Sequence, residues 1–206
     1  MTDTPPDGAR SSPSTARNRQ PILEVLRPRL PDGARVLEMA SGAGEHALFL
    51  ASGLPGLSWQ PTDRDPEALA SAAAWRASAG LANLAAPIRL DAADPSSWPD
   101  GPFEAVVCIN MIHISPWATA EGLMAGTARV LTKGGQLFLY GPYLEADIEP
   151  APSNLSFDES LKSRDPAWGL RDLDTVKELA ATNDLTFAER IAMPANKLIV
   201  VFEKRD

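Results

Sequence analysis

The sequence has almost no cysteine, and this scarcity excludes several classes of site. Cys108 is the only cysteine among 206 residues, so neither a disulfide framework nor a CxxC metal site can form. It lies within an apolar run, which favours a buried structural thiol in a reducing compartment over a reactive one. We therefore predict no metal centre.

Long apolar runs and an excess of positive charge are also missing. No stretch approaches the roughly 20 apolar residues of a membrane span, and the N-terminus lacks the apolar region of a secretory signal. The net charge is -8 at pH 7, whereas nucleic acids and anionic membranes attract proteins rich in Lys and Arg. We expect a cytoplasmic protein that binds no nucleic acid or membrane and takes a small neutral or cationic partner.

Length and composition indicate one folded domain behind a short tail. Hydrophobic residues make up 44% and charged residues 22% of the chain, which is typical of a soluble domain. A chain of this length accommodates one α/β domain. Residues 1–14 are rich in Pro, Ser, Thr, Asp and Gly, so we expect a flexible tail there and the domain over residues 15–206.

Helix and strand patterns alternate through this domain. Apolar spacing predicts helices over residues 16–30, 45–51, 66–78, 119–130 and 174–183. Strands are predicted over residues 35–39, 57–61, 88–90, 103–110, 136–140, 185–192 and 198–202. Only five residues join the last two strands, which indicates a hairpin. The predicted fold is α/β: a doubly wound, Rossmann-like, mostly parallel seven-stranded sheet with an antiparallel C-terminal hairpin strand. The polar stretch over residues 141–171 is expected to be a long loop that closes over a site.

A glycine-rich turn follows the first predicted strand, where the sequence reads VLEMASGAGEH over residues 36–46. Glycines let the backbone approach a ligand closely, and the next helix presents free N–H groups. The spacing of Gly42, Gly44 and Ala47 also satisfies the dinucleotide pattern GxGxxG/A. The turn alone therefore leaves open a nicotinamide-dependent oxidoreductase.

Two acids near this turn favour a different cofactor. Glu38 ends the first strand, where it suits the cationic amino-acid end of S-adenosylmethionine and would repel a pyrophosphate. Asp63 ends the second strand, where a carboxylate can accept hydrogen bonds from both ribose hydroxyls of either cofactor. Glu38 is thus the residue that discriminates between them.

With these residues in order, the sequence resembles the class I S-adenosylmethionine-dependent methyltransferases over roughly residues 16–206. That resemblance implies in-line methyl transfer to a small-molecule acceptor, with S-adenosylhomocysteine as product. The cofactor-binding residues it implies are Glu38, Ala40, Ser41, Gly42, Gly44, Asp63, Arg64, Asp91, Ala92, Asn110 and Met111. Asn18 and Arg19, at the start of the first predicted helix, are added from their position: they either fold over the cofactor or serve as an ordinary helix cap and surface charge. Ala40 departs from the usual glycine, and Arg64 departs from the more common apolar residue that stacks on adenine.

Four short segments narrow the resemblance to one branch. They are ARNRQPIL at residues 16–23, FDESL at 157–161, RDPAWG at 164–169 and MPAN at 193–196. Together they are similar to the small methyltransferase-like protein 26 family. A non-catalytic member of the fold that only binds the cofactor is a further alternative.

Candidates for catalysis and acceptor binding follow the fourth predicted strand. His113 lies just past that strand, and the near-neutral pKa of histidine suits a general base; a structural loop histidine fits the same position. Tyr143, Trp168 and Arg171 lie in or beside the polar stretch. They either line an acceptor pocket or anchor the stretch to the domain.

Overall fold

Seven strands form one sheet in the computed structural model, which describes residues 5–205. The strands of the chain are β1 (Arg35–Met39), β2 (Ser58–Asp63), β3 (Ile88–Arg89), β4 (Phe103–Ile109), β5 (Leu131–Gly141), β6 (Tyr143–Leu144), β7 (Arg171–Asp172), β8 (Leu185–Met193) and β9 (Lys197–Lys204). The helices are α1 (Pro13–Leu26), α2 (Glu45–Gly53), α3 (Pro66–Ala79), α4 (Trp117–Val130), α5 (Pro152–Arg164) and α6 (Leu173–Ala181).

The strand order of the main sheet is β3-β2-β1-β4-β5-β9-β8. Strands β1 to β5 pair in parallel, and β9 runs antiparallel to both of its neighbours. The short β6 and β7 form a separate parallel pair. This order confirms the predicted doubly wound α/β fold with a reversed strand near the C-terminus. Only residues 194–196 separate β8 from β9, and so short a joint permits only a hairpin.

The core occupies both faces of the sheet, as expected when helices cover a parallel sheet on each side. Alternate residues of one strand point to opposite faces, so Val36 packs with α1 and α2, whereas Leu37 packs with α4 and α6. All four residues from Val36 to Met39 are buried. This two-sided burial explains why the strand reads as an almost continuous apolar run.

Helix α5 lies inside the stretch over residues 141–171 that was expected to be a long loop. The prediction missed it because α5 buries only Asn154 and Leu161 among its residues and therefore has no apolar stripe. A helix with so little buried surface leaves no helical period in the sequence.

The chain before α1 is attached to the domain. The backbone N–H of Arg10 donates to Ser71 Oγ at 2.8 Å, and its carbonyl accepts from Trp75 Nε1 at 2.9 Å. The N–H of Ser12 donates to Glu45 Oε2 at 3.0 Å. The structure therefore differs from the flexible tail expected through residue 14, because α1 begins at Pro13 and the residues just before it bind α2 and α3; residues 1–4 lie outside the described part.

Within residues 5–205, no helix is both long and apolar enough to cross a membrane. Over the same range, no group of three or more His, Cys, Asp or Glu residues is arranged to hold a metal ion.

Candidate functional site

A cavity of about 380 Å³ opens at the carboxyl ends of β1, β2 and β4. Open α/β sheets bind ligands in this crevice, and the volume lies within the usual range for small-molecule sites. We call it the glycine-turn cavity. Its lining residues are Ser12, Thr15, Glu38, Met39, Ala40, Ser41, Gly42, Ala43, Glu45, His46, Asp63, Arg64, Leu90, Asp91, Ala92, Ile109, Asn110, Met111, Ile114, Ser115 and Thr119.

The turn between β1 and α2 adopts left-handed backbone conformations. Gly42 has φ of 56°, and a Cβ added there would meet no protein atom within 4 Å. Ala40 also has a positive φ, 54°, which strains a residue that carries a Cβ. The glycine usual at this position in the resembling family would relieve that strain.

Gly44 does not line the cavity, contrary to its predicted role. It has φ of 85°, and a Cβ at this residue would overlap the backbone of Ala72 in α3. Glycine at this position therefore serves the packing of α2 against α3, and only indirectly the cavity.

Asp63 fixes the turn from the neighbouring strand. Its Oδ2 accepts a hydrogen bond from the N–H of Gly42 at 2.8 Å, and its Oδ1 accepts from the N–H of Asp65 at 2.9 Å. Each carboxylate oxygen retains a second acceptor site. Asp63 can thus hold the turn and still bind hydroxyl groups of a ligand.

Glu38 is a buried carboxylate in the cavity wall, with 2% of its surface exposed. Its Oε2 accepts from Trp59 Nε1 at 2.6 Å. Burial raises the pKa of Glu38 to about 7, the Trp59 hydrogen bond opposes this rise, and the charge of Asp63 adds to it. Among the described residues no Lys, Arg or His forms an ion pair with Glu38. A cation in the cavity would therefore favour its ionised form.

Most of the predicted cofactor residues meet around this cavity. Those that line it are Glu38, Ala40, Ser41, Gly42, Asp63, Arg64, Asp91, Ala92, Asn110 and Met111. Asn18 lies outside it and hydrogen-bonds His46 Nε2 through Oδ1 at 2.8 Å. Arg19 also lies outside, with its guanidinium 3.5 Å from Glu45 Oε1 and 4.8 Å from the centre of the Phe49 ring.

The prediction missed lining residues that come from α1 and from the segment leading into α4. Ser12 and Thr15 reach the cavity from the start of α1, while Ser115 and Thr119 flank the start of α4. Ser and Thr at helix starts are also common caps, so no sequence signal separates a capping role from a cavity-lining role.

A second cavity of about 530 Å³ adjoins the first, and Asn110 and Ile114 line both. We call it the flanking cavity. Its walls come from α1, α5, the end of β5 and the β8–β9 turn. They consist of Ser14, Arg17, Asn18, Pro21, Asn110, Ile114, Tyr140, Ser153, Phe157, Pro194, Ala195 and Lys197.

His113, predicted as a general base, lines neither cavity. Its side chain is fully buried, neither ring nitrogen has a hydrogen-bond partner, and its ring meets that of Tyr143 edge-on at 5.0 Å. Burial lowers the pKa of His113 to about 3, and the charges of Arg171 and Lys197 lower it further. A 3₁₀ turn over Met111–His113 directs the ring under Gly141. The role of base is therefore corrected to one of packing.

The predicted acceptor residues also lie outside both cavities. Tyr143 is buried in β6 with an unpartnered hydroxyl, and Trp168 packs under the guanidinium of Arg164 at 4.9 Å. Arg171 Nε donates to the carbonyl of Ile112 at 2.9 Å, and its Nη2 donates to that of Ser115 at 2.6 Å.

These contacts of Arg171 hold the segment that follows β4 in place from the side away from the cavities. Arg171 Nη2 also donates to the carbonyl of Ala167 at 2.9 Å, and the N–H of Gly169 donates to the carbonyl of His113 at 3.0 Å. The structure thus supports the anchoring alternative for Arg171. Arg171 lies outside both cavities and holds in place the segment after β4, which contributes residues to them.

A family model described as "Protein of unknown function (DUF938)" matches residues 9–204. The chain belongs to the DUF938 family. The description of this family assigns no activity to its members. The narrower resemblance to methyltransferase-like protein 26 stays a prediction.

Solved structures share the fold of this DUF938 chain. An O-methyltransferase family protein from Burkholderia thailandensis is 16% identical with a TM-score of 0.78, over 94% of this chain and 58% of that one. An O-methyltransferase family 2 protein from Planctomyces limnophilus, in complex with apigenin, is 22% identical with a TM-score of 0.75, over 93% and 60%. The YcgJ protein from Bacillus subtilis is 16% identical with a TM-score of 0.72, over 93% and 99%. This chain thus spans a little over half of the two O-methyltransferases.

Proposed function

We propose that this DUF938 protein is an S-adenosylmethionine-dependent methyltransferase that acts on a small-molecule acceptor. The observation that carries the proposal is Glu38, a buried carboxylate without a cationic partner among the described residues, in the wall of a cavity built on a glycine turn. A cofactor with a cationic amino-acid end stabilises such a carboxylate, whereas a pyrophosphate repels it. The fold shared with O-methyltransferases supports the same assignment.

The residues of the glycine-turn cavity fit the parts of that cofactor. Glu38 and Gly42 suit the methionine part, and Asp63 suits the ribose. Asp91 and Ala92, which follow β3, suit the edge of the adenine. When bound, S-adenosylmethionine supplies an electrophilic methyl group.

The flanking cavity suits the methyl acceptor because it meets the glycine-turn cavity at Asn110 and Ile114. A nucleophile held at this shared wall is close to the cofactor site, and proximity with alignment provides much of the acceleration in such reactions. Since His113 reaches neither cavity, the proposal includes no histidine base at this position. Amines and thiols are acceptors that react without one.

Calorimetric titration with S-adenosylhomocysteine, NADH and NADPH tests the cofactor. We expect S-adenosylhomocysteine to bind and the nicotinamide cofactors not to bind. Glu38→Ala and Asp63→Ala should weaken binding, while Glu121→Gln, a loss of charge on the exposed face of α4, should leave it unchanged. Binding of NADH or NADPH without a response to S-adenosylhomocysteine would replace the proposal with an oxidoreductase.

Formation of S-adenosylhomocysteine in the presence of a broad acceptor panel tests the transfer itself. We expect turnover that depends on the acceptor. A protein that binds S-adenosylmethionine yet shows no acceptor-dependent turnover across the panel would be a non-catalytic cofactor-binding module.

A further inference from the structure

The flanking cavity has a charge opposite to that of the protein. The chain carries 27 acidic residues against 19 Lys and Arg, yet Arg17 and Lys197 line this cavity together with no Asp or Glu. Among the described residues no carboxylate forms an ion pair with either cation. The expectation of a neutral or cationic partner followed from the net charge of the chain, whereas the positive charge of this cavity favours an anionic partner.

Lys197 is held in place before any ligand arrives. Its Nζ donates to Asn154 Oδ1 at 2.9 Å and lies 5.2 Å from the centre of the Phe157 ring. Asn154 is itself 5% exposed. An ammonium group has three N–H donors, so the bond to Asn154 orients the group and leaves donors for a ligand.

The β8–β9 turn that presents Lys197 adopts a strained conformation. Ala195 and Asn196 have positive φ values of 58° and 56°, and two consecutive left-handed residues other than glycine are costly. Asn154 Nδ2 donates to the carbonyl of Asn196 at 2.9 Å and so ties the turn to α5.

The first turn of α5 adds a third positive feature. Helix α5 begins at Pro152, and Ala151 provides no side-chain cap. Ser153, in this first turn, lines the flanking cavity. Pro152 has no N–H, and the N–H groups of Asn154 and Leu155 donate to the carbonyl of Ala151, so the contribution of this 13-residue helix is the partial positive charge of its N-terminus, which favours an anion.

We propose, on the basis of the methyltransferase function proposed above, that the flanking cavity takes an acceptor bearing a carboxylate, and that Lys197 binds this carboxylate as the residue that determines specificity. Asn154 is a positioning residue that acts through Lys197. The ring of Phe157 beside Lys197 and the ring of Tyr140 provide apolar walls for the rest of the molecule.

The test uses pairs of compounds of nearly the same shape, one charged and one neutral, measured by calorimetry on the full-length protein saturated with S-adenosylhomocysteine. Each pair consists of a carboxylate and the corresponding amide on the same aromatic or aliphatic skeleton, such as 4-hydroxybenzoate and 4-hydroxybenzamide. Phenyl phosphate is added to test whether the cavity prefers a phosphate. We expect at least one carboxylate to bind about 10- to 100-fold tighter than its amide, as for a hydrogen bond to a charged group. Tighter binding of phenyl phosphate than of every carboxylate would overturn the assignment.

Variants assign the preference to Lys197. Lys197→Met keeps the apolar stem beside Phe157 and should abolish the preference for the carboxylate, whereas Lys197→Arg should retain it. Lys133→Gln removes the same charge near the opposite end of β5 and should change nothing. Asn154→Asp places a carboxylate against Lys197 and should weaken acid binding selectively.

Two further results would overturn the proposal: no carboxylate preferred over its amide in the whole panel, or a preference that survives Lys197→Met. If S-adenosylhomocysteine itself fails to bind the wild-type protein, the proposed function fails instead. The two failures are thus read from separate titrations.

Discussion

Replacing Glu38 with glutamine is expected to stabilise the fold and to weaken cofactor binding at the same time. The pKa of Glu38 rises from 4.5 to about 7 because the carboxyl group is buried. The folded state therefore binds this proton more tightly than the unfolded state, and stability declines as the pH rises from 4.5 towards 7. The interval corresponds to about 3 kcal/mol as an upper limit.

Glutamine removes this penalty and retains an oxygen that can accept from Trp59 Nε1. We expect the free energy of unfolding of Glu38→Gln to exceed that of the wild type by about 1–3 kcal/mol at pH 8. At pH 4 the difference should be close to zero, because Glu38 is then mostly protonated in both the folded and the unfolded state. Urea unfolding followed by circular dichroism at both pH values measures the change, with Glu121→Gln as the control.

The same variant should lose affinity for the cofactor. Above pH 7 the wild-type carboxylate is ionised and attracts the ammonium group of S-adenosylhomocysteine, so wild-type affinity should increase between pH 6 and pH 8. Glu38→Gln should bind at least about tenfold more weakly at pH 8 and lose this pH dependence. A variant that is no more stable than the wild type at pH 8 would refute the reasoning from burial, and unchanged affinity would refute the reasoning from charge.

Three further substitutions test positions around the cavities. Ala40→Gly should raise the free energy of unfolding by up to about 1 kcal/mol, because glycine adopts the positive φ without strain; a loss of stability in the same urea assay would contradict this. Arg171→Lys should lower that free energy by about 2 kcal/mol and reduce turnover, because lysine cannot reproduce the bonds to three carbonyls; unchanged stability and turnover would count against the anchoring role. His113→Leu should leave the pH profile of turnover unchanged, because the pKa of about 3 keeps the imidazole neutral near pH 7; loss of one limb of that profile would restore His113 as a base.

Local patterns determined the sheet and the glycine turn. The run from Phe103 to Ile109 is apolar apart from Glu104, because helices cover the sheet on both sides, and the five residues between the last two predicted strands are too few for a crossover. The turn at Gly42 depends on a backbone conformation that glycine adopts readily. The sequence also predicts that Glu38 and Asp63 lie close to the turn. Both lie at the carboxyl ends of predicted parallel strands, and these ends meet at one edge of a sheet.

Sequence patterns failed where a position depends on contacts between distant segments. The pattern placed His113 correctly after β4, but the 3₁₀ turn directs its ring into the core, away from the cavities. Gly44 fits a ligand-binding pattern, yet its contact is with Ala72 in α3. In both cases tertiary packing decides the outcome: it sets where the His113 ring points and which atoms lie next to Gly44.

Only the tertiary structure decided the flanking cavity and its charge. Arg17, Asn154 and Lys197 come from α1, α5 and the start of β9, which are separated by long stretches of chain. No apolar period in the sequence predicts helix α5, and the net charge of the chain is opposite in sign to the charge of this cavity. The physical reason is that a net charge sums over the whole surface, whereas a ligand responds to the few groups that folding brings within a few ångströms of it.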